Sequence, residues 1–174
     1  MTSGWSLVVK VSLRVNSSVF VVKVPEIKPL IRIRSCATND FASVLRLLRQ
    51  LWPEKQLDES AVKRVFERAL DSESQACFCA DNNNDQAIGF VSLTMKNNLW
   101  QAANLGHIDE LIVDQAHHGH GLGSELLNAI IDVAKERHCT RIELDSAFHR
   151  KKAHQFYERN GFENRAYLFS KRLT

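Results

Sequence analysis

The sequence holds few of the features that mark specialised classes of protein. Its 174 residues include seven glycines and three prolines, with no internal repeat and no low-complexity segment. The formal net charge is only +3, with acids scattered among the bases, so composition gives little support for nucleic-acid binding. Hydrophobic residues make up 44% of the chain and charged residues 25%, which is enough apolar material for one globular core.

Long apolar runs and paired cysteines are also missing. No run approaches the roughly 18 apolar residues that a membrane helix needs, and the first twenty residues lack the basic start and cleavage site of a secretory signal. The four cysteines, Cys36, Cys77, Cys79 and Cys139, lack metal-site spacing and are interpreted as reduced core residues. We therefore expect a cytoplasmic protein without a membrane partner, a nucleic-acid partner or a bound metal.

The first thirty residues differ from the rest of the chain. Residues 1–30 alternate apolar and polar side chains in two short runs joined by Asn16-Ser17-Ser18, and two prolines follow. This pattern indicates an appended β-hairpin or a mobile extension. From Ile31 the patterning becomes regular, and residues 31–174 are expected to form the main domain.

Strands and helices are predicted in a mixed order along this main domain. Strands are expected in IRIRSC (31–36), in two runs around an Asn/Asp turn (75–96), in HIDELIV (107–113) and in RIELDS (141–146). Helices are expected at 41–52, 60–70, 124–138 and 151–159. One or two closing strands are expected in FENRAYLFSKRL (162–173).

Three glycines, Gly119, Gly121 and Gly123, lie in HHGHGLGSELL, between a predicted strand and a predicted helix. Such a loop directs free backbone N–H groups and the positive end of a helix toward one point, which suits a phosphate. The spacing matches neither the nucleotide-hydrolysing P-loop nor the dinucleotide motif Gly-x-Gly-x-x-Gly. Neither ATP nor a dinucleotide is therefore expected. His117, His118 and His120 could bind a metal, but they lack a His-x-x-x-His helical pair, so weak binding is the favoured interpretation.

The alternating glycines fit another pattern. Residues 106–127, GHIDELIVDQAHHGHGLGSELL, resemble the acetyl-CoA motif of the GNAT superfamily of N-acetyltransferases, Gln/Arg-x-x-Gly-x-Gly/Ala, with His118 where Arg or Gln is usual. Residues 153–162, AHQFYERNGF, resemble the family's Ala-x-x-Phe-Tyr-x-x-x-Gly-Phe signature. The resemblance covers residues 31–173. Within the superfamily it is strongest to small-amine enzymes of the aminoalkylphosphonate N-acetyltransferase type.

The resemblance implies an α/β GNAT fold. The expected sheet is mixed and mostly antiparallel, with about six or seven strands, about four flanking helices, and a splay between the HIDELIV and RIELDS strands where acetyl-CoA enters. Acetyl-CoA is the implied acetyl donor. Its implied contacts come from the strand end, the glycine loop and the last helix: Leu111, Ile112, Val113, His118, Gly119, His120, Gly121, Leu122, Gly123, Ser124, Arg150 and Tyr157.

The implied reaction is direct transfer of the acetyl group to a small-molecule primary amine in a ternary complex, because no cysteine lies where the motif would place a covalent intermediate. Two alternatives stay open. One is acetylation of a protein N-terminus or lysine, and the other is an acyl-CoA-binding module without turnover. The resemblance leaves both a monomer and a homodimer open.

Acetyl transfer to an amine needs a base, a site for the oxyanion and a proton donor. Histidine, with an ordinary pKa of about 6.5, is a suitable base, and the motif register gives this role to His107, with Asp109 on the same face. The alternative is that His107 merely ends a strand. Backbone N–H groups from the bulged strand end around Leu111–Val113 are expected to meet the oxyanion.

The proton donor implied by the resemblance is Tyr157, which stays protonated at neutral pH. The alternative is a buried tyrosine that bonds a carbonyl. Arg150 is expected to hold a phosphate of CoA or an anionic group of the substrate, and a solvated charge is its alternative.

Overall fold

The structure is a computed structural model that describes residues 10–15, 18–23, 31–82 and 86–173. Residue contacts divide the chain into two units, Met1–Leu30 and Ile31–Thr174. In the first unit, β1 (Lys10–Val15) pairs antiparallel with β2 (Ser18–Lys23). The interpretations of residues 1–9 and 24–30, and of the link at Asn16 and Ser17, fall outside the described residues.

The second unit contains one five-stranded sheet. Its strands are β3 (Arg32–Ser35), β4 (Gln75–Asp81), β5 (Ala87–Asn98), β6 (Ala103–Val113) and β7 (Cys139–Leu144). They lie in chain order across the sheet. Neighbours are antiparallel from β3 to β6 and parallel between β6 and β7. A mixed and mostly antiparallel sheet was predicted, and the fold class is confirmed.

Four α-helices cover the two faces of this sheet. They are α1 (Phe41–Leu51), α2 (Glu59–Leu70), α3 (Leu122–Glu136) and α4 (Lys151–Arg159). Apolar residues of α1 and α2 form one core with β4 and β5, while α3 and Phe156 of α4 belong to a second core. The first and third helices bury an apolar stripe against the sheet, whereas α4 has no fully buried residue. None of the helices that the structure describes is long and apolar enough to cross a membrane.

The predicted count of six or seven strands was too high, because the expected closing strands do not form. Within the described residues, the stretch 163–173 contains no strand. Tyr167, Leu168 and Phe169 expose 76%, 68% and 90% of their surface. A strand stabilised by one buried face needs apolar side chains at alternate positions, and three apolar residues in a row cannot all lie on that face.

The two parallel strands separate part of the way along their length. The ladder between β6 and β7 ends at the pair Ile108 and Leu144. The ladder between β6 and β5 continues to Val113. The last five residues of β6 therefore border an opening in the sheet, at the place where the sequence predicted a splay.

Candidate active site

Strand β6 carries a bulge at the start of the splay. The ladder with β5 skips Asp109, which is the one extra residue. Because side chains alternate along a strand, this extra residue brings Glu110 to the same face as His107. The sequence placed the bulge around Leu111–Val113, and the structure places it before that segment. The sequence pattern alone could not show where the ladder slips.

His107 lies between two carboxylates. Its Nδ1 is 3.0 Å from Asp109 Oδ1, and its Nε2 is 3.3 Å from Asp145 Oδ2. Its side chain is 23% exposed, so solvent and small solutes reach it. The hydrogen bond that His107 donates to Asp109 is the largest cause that raises the pKa of His107, and Asp145 adds to it. An accessible imidazole in this setting can accept a proton and share it with a carboxylate.

Two residues of this cluster, Glu110 and Asp145, were missed by sequence reasoning. The Ser92 hydroxyl donates to Glu110 Oε2, and the Glu110 N–H donates to Ser92 Oγ over 3.2 Å. Burial raises the pKa of Glu110, against the effect of Ser92. Two adjacent acids in an alternating strand are a signal for an irregularity at Glu110. Asp145 has no such signal, because only the parallel pairing of β6 and β7 brings it near His107.

Backbone groups of β6 face the splay. The Asp114 N–H donates to the Ile88 carbonyl over 2.8 Å. Because hydrogen-bonding direction alternates in an antiparallel ladder, the N–H groups of Leu111 and Val113 point away from β5 and toward the opening. Ile112 points its own N–H toward β5. Two N–H donors that face an opening can bind an oxygen that becomes negatively charged.

The glycine loop has the backbone of an anion-binding site. Gly119 and Gly121 both have φ of +83°, and a Cβ built on either one meets nothing within 4 Å. Among the described residues, the N–H groups of Gly119, His120 and Gly121 donate no backbone hydrogen bond, and those of Leu122 and Gly123 lie in the first turn of α3, where no intrahelical acceptor exists. The 15-residue helix α3 begins there and adds the positive end of its dipole. These donors fit the diphosphate of a CoA molecule.

The other predicted loop residues have distinct surroundings. His118 Nε2 lies 2.8 Å from the Val113 carbonyl, to which it donates, so this side chain ties the loop to the end of β6. Leu122 is only 2% exposed and belongs to the core. The Ser124 N–H donates to the Gly121 carbonyl over 2.9 Å, inside the first helical turn. His120 Nδ1 is 3.4 Å from the His117 carbonyl.

Tyr157 lies on α4, Arg150 directly precedes that helix, and the two interact electrostatically. The Tyr157 ring packs edge-on against Phe156 and Phe162, with centroids 5.3 and 5.7 Å away. Burial raises the pKa of Tyr157, and the charge of Arg150 opposes this rise. The Arg150 guanidinium donates to the Leu51 carbonyl over 2.7 Å and lies 4.4 Å from the Trp52 ring centroid. The helix is therefore joined to the end of α1 beside Tyr157.

One group of potential metal ligands exists among the described residues: Cys36, Asp40 and Cys79, with ligand atoms within 4.8 Å of one another. Both Asp40 oxygens already accept from Arg34, over 2.7 and 2.8 Å. The hydrogen bond with Cys79 and burial raise the pKa of Cys36 well above its ordinary range. Metal ligation needs the thiolate, so this donor set fits a core ion pair rather than a metal.

The splayed sheet and the glycine loop at a helix N-terminus define a fold for binding an acyl-CoA. A profile of the Acetyltransferase (GNAT) family matches residues 41–162, which is more than half of the chain. The chain belongs to the GNAT family of acetyltransferases, and it is an acetyl-CoA-dependent N-acetyltransferase. The family, the enzyme class and the acetyl donor predicted from the sequence are confirmed.

Individual relatives cover nearly the whole main domain. The chain is 29% identical over 148 residues to aminoalkylphosphonate N-acetyltransferase of Salmonella typhimurium, across 85% of this chain and 95% of that protein. It is 25% identical over 134 residues to glucosamine 6-phosphate N-acetyltransferase of Trypanosoma brucei brucei, across 76% of this chain and 88% of that protein. A solved aminoglycoside N-acetyltransferase in complex with CoA is similar with a TM-score of 0.75 and 19% identity, across 87% and 99%.

Proposed function

We propose that this protein transfers an acetyl group from acetyl-CoA to the primary amine of a small molecule, by direct attack in a ternary complex. The observation that carries the proposal is the accessible His107 between Asp109 and Asp145, at the edge of the splay. Carboxylates attract the ammonium form of an amine, and the imidazole can then take its proton. Two relatives, the aminoalkylphosphonate and glucosamine 6-phosphate N-acetyltransferases, are named for small amines, which supports the same class of acceptor.

We assign the proton-accepting role to Nε2 of His107. Asp109 holds the opposite ring nitrogen, and Asp145 is near enough to share the proton that Nε2 takes from the ammonium group. Only the neutral imidazole is a base. The carboxylates raise the pKa of His107, which moves the formation of the neutral base to higher pH. The fraction of active base then increases as pH rises through that raised pKa.

The remaining roles fall to backbone and to α4. Acetyl-CoA, when bound, supplies the acetyl group as a thioester. The N–H groups of Gly119–Gly123 hold its diphosphate, and those of Leu111 and Val113 stabilise negative charge on the carbonyl oxygen. Tyr157 donates a proton to the departing sulfur. Burial raises the pKa of Tyr157, and the positive charge of Arg150 offsets part of that rise, which favours this donation.

We place this activity in residues 31–174, as the family match to residues 41–162 supports, and treat residues 1–30 as an extension. Four free cysteines support the prediction of a reducing, cytoplasmic location. Neither assignment changes the chemistry proposed for the site.

The acceptor class is tested by release of free thiol from acetyl-CoA with a panel of amines. The panel contains aminoalkylphosphonates, amino sugars and their phosphates, polyamines and arylalkylamines, together with a peptide that has a free N-terminus and an internal lysine. We expect turnover on at least one small amine, with higher kcat/KM than on the peptide. Turnover on the peptide alone would contradict the proposal. Tight acetyl-CoA binding without any turnover would favour a non-catalytic binding module.

A further inference from the structure

A chain of hydrogen bonds crosses three strands and ends at His107. Gln75 Nε2 on β4 donates to Thr94 Oγ1 on β5 over 3.0 Å. Thr94 Oγ1 donates to Asp109 Oδ2 on β6 over 2.6 Å. The other Asp109 oxygen, Oδ1, lies 3.0 Å from His107 Nδ1. Neither Gln75 nor Thr94 stands out in the sequence, because only the register of the sheet joins them to the site.

The direction of this chain makes Nδ1 of His107 the donor to Asp109. An ionised carboxylate only accepts, so the single Thr94 hydroxyl hydrogen goes to Asp109 and the hydroxyl oxygen is left to accept from Gln75. Asp109 likewise accepts from Nδ1–H of His107. In the charged imidazolium both nitrogens carry hydrogen, and Nε2–H donates to Asp145 over 3.3 Å. When one proton is lost, the shorter contact of Nδ1 with Asp109, 3.0 Å, favours keeping the hydrogen on Nδ1 and leaves the lone pair on Nε2.

Asp109 needs such a partner because packing does not hold it. It is the extra residue of the bulge, and its side chain is 33% exposed. The Thr94 hydroxyl is therefore the contact that stops this carboxylate from turning away from the ring. A group that orients a ligand or a base from behind commonly affects activity about ten-fold or more.

We infer that Thr94, supported by Gln75, is a positioning residue that holds Asp109 so that His107 presents Nε2 to the amine. This inference rests on the proposed role of His107 as base. The charged groups near the imidazole are Asp109 and Glu110 on β6, Glu143 opposite it on β7, and Asp145 beyond β7. All four are acidic, and Thr94 is uncharged. Replacing Thr94 therefore removes no charge and affects the ring through the contact with Asp109.

The test compares Thr94→Val, which keeps the shape and removes the hydroxyl, with Thr94→Ser, which keeps the hydroxyl. The pKa of His107 is measured by NMR titration of its ring Cε1–H signal, assigned by its loss in His107→Gln. We expect Thr94→Val to lower this pKa toward the ordinary 6.5 or so and to reduce kcat/KM about ten-fold. Thr94→Ser should stay close to the wild type in both, and equal melting temperatures establish that each variant is folded.

Three outcomes would count against the inference. An unchanged His107 pKa in Thr94→Val would show that Asp109 does not depend on the hydroxyl. Equal losses in Thr94→Ser and Thr94→Val would show that packing of the methyl group matters instead. A lowered His107 pKa with an unchanged rate would mean that the ring is held as described but is not the base, which overturns the proposed function rather than the contact itself.

Discussion

At the scale of single residues, Tyr157 provides a clean test of the proton donor. Replacing Tyr157 with Phe keeps the ring contacts to Phe156 and Phe162 and removes only the hydroxyl. We expect kcat to fall about 10²-fold with no change in affinity for acetyl-CoA, because general acids contribute on this order. Tyr167→Phe is the matched control, since Tyr167 is 76% exposed.

Steady-state kinetics and the dissociation constant of acetyl-CoA check this expectation. Because burial raises the pKa of Tyr157, the hydroxyl stays protonated through the neutral range, and the loss should be similar at each pH there. Equal kcat values for Tyr157→Phe and Tyr167→Phe would remove Tyr157 from the reaction.

Sequence reasoning identified site residues that belong to a motif. It missed residues that only the pairing of the strands brings to the site. The spacing of His107 and Asp109 predicted that they share a face, and the structure places them in contact, while the bulge adds Glu110 to that face. Thr94, Glu110 and Asp145 come from three different segments. They come together because β6 has one extra residue opposite β5 and because β6 pairs parallel with β7. Neither feature is visible in a local sequence pattern.

At the scale of elements, the glycine loop allows a paired comparison within one motif. Gly121 has φ of +83°, so Gly121→Ala strains the backbone by about 1 kcal/mol although no atom is near. Gly123 lies within α3, and its added methyl would meet the Phe156 ring at an ordinary 3.5 Å. We expect Gly121→Ala to raise the Kd of acetyl-CoA about five- to ten-fold, and Gly123→Ala to change it little.

Isothermal titration with CoA distinguishes the two variants without any need for turnover. Similar Kd values for Gly121→Ala and the wild type would show that the left-handed backbone at this position does not support the ligand. A large loss of affinity in Gly123→Ala alone would show that the phosphates approach the backbone most closely at Gly123, within α3, rather than at Gly121.

The helices were predicted more reliably than the closing strands, and the reason is physical. The helices carry apolar residues at helical spacing, and the first and last also have stop signals, Pro53 and Gly161, within a few residues of that pattern. A strand needs a partner from elsewhere in the chain. Residues 162–173 offer apolar side chains without alternation, so their composition suggested strands that the sheet does not contain.

At the scale of the whole molecule, stability in acid depends on an ion pair that joins β3 to the start of α1. Asp40 is 4% exposed, accepts two bonds from Arg34 and one from the Ala37 N–H. The hydrogen bond from Arg34 is the main cause that lowers the pKa of Asp40. A carboxyl whose pKa is lower in the folded state stabilises the fold above its unfolded pKa, and that stability is lost as pH falls through the folded pKa.

We expect Asp40→Asn to lower the free energy of unfolding by about 3 kcal/mol at neutral pH, because it leaves Arg34 with less compensation for its charge. The difference from the wild type should begin to shrink below about pH 4, where Asp40 of the unfolded chain takes up a proton, and should shrink further as pH falls through the lower pKa of folded Asp40. Urea unfolding at several pH values measures it. A difference that stays constant from pH 7 to pH 3 would mean that lost packing, rather than the charge of Asp40, causes the destabilisation.

The measurement that tests the central claim most directly is the pH dependence of kcat/KM for the wild type and His107→Gln, using the best amine of the panel. The wild type should show an acidic limb at a pKa above 6.5 or so, and His107→Gln should lose that limb and about 10²-fold in rate, with an unchanged Kd for acetyl-CoA. If His107→Gln keeps both the limb and the rate, another group, with Glu110 the first to examine, is the base, and the account of the site given above is wrong.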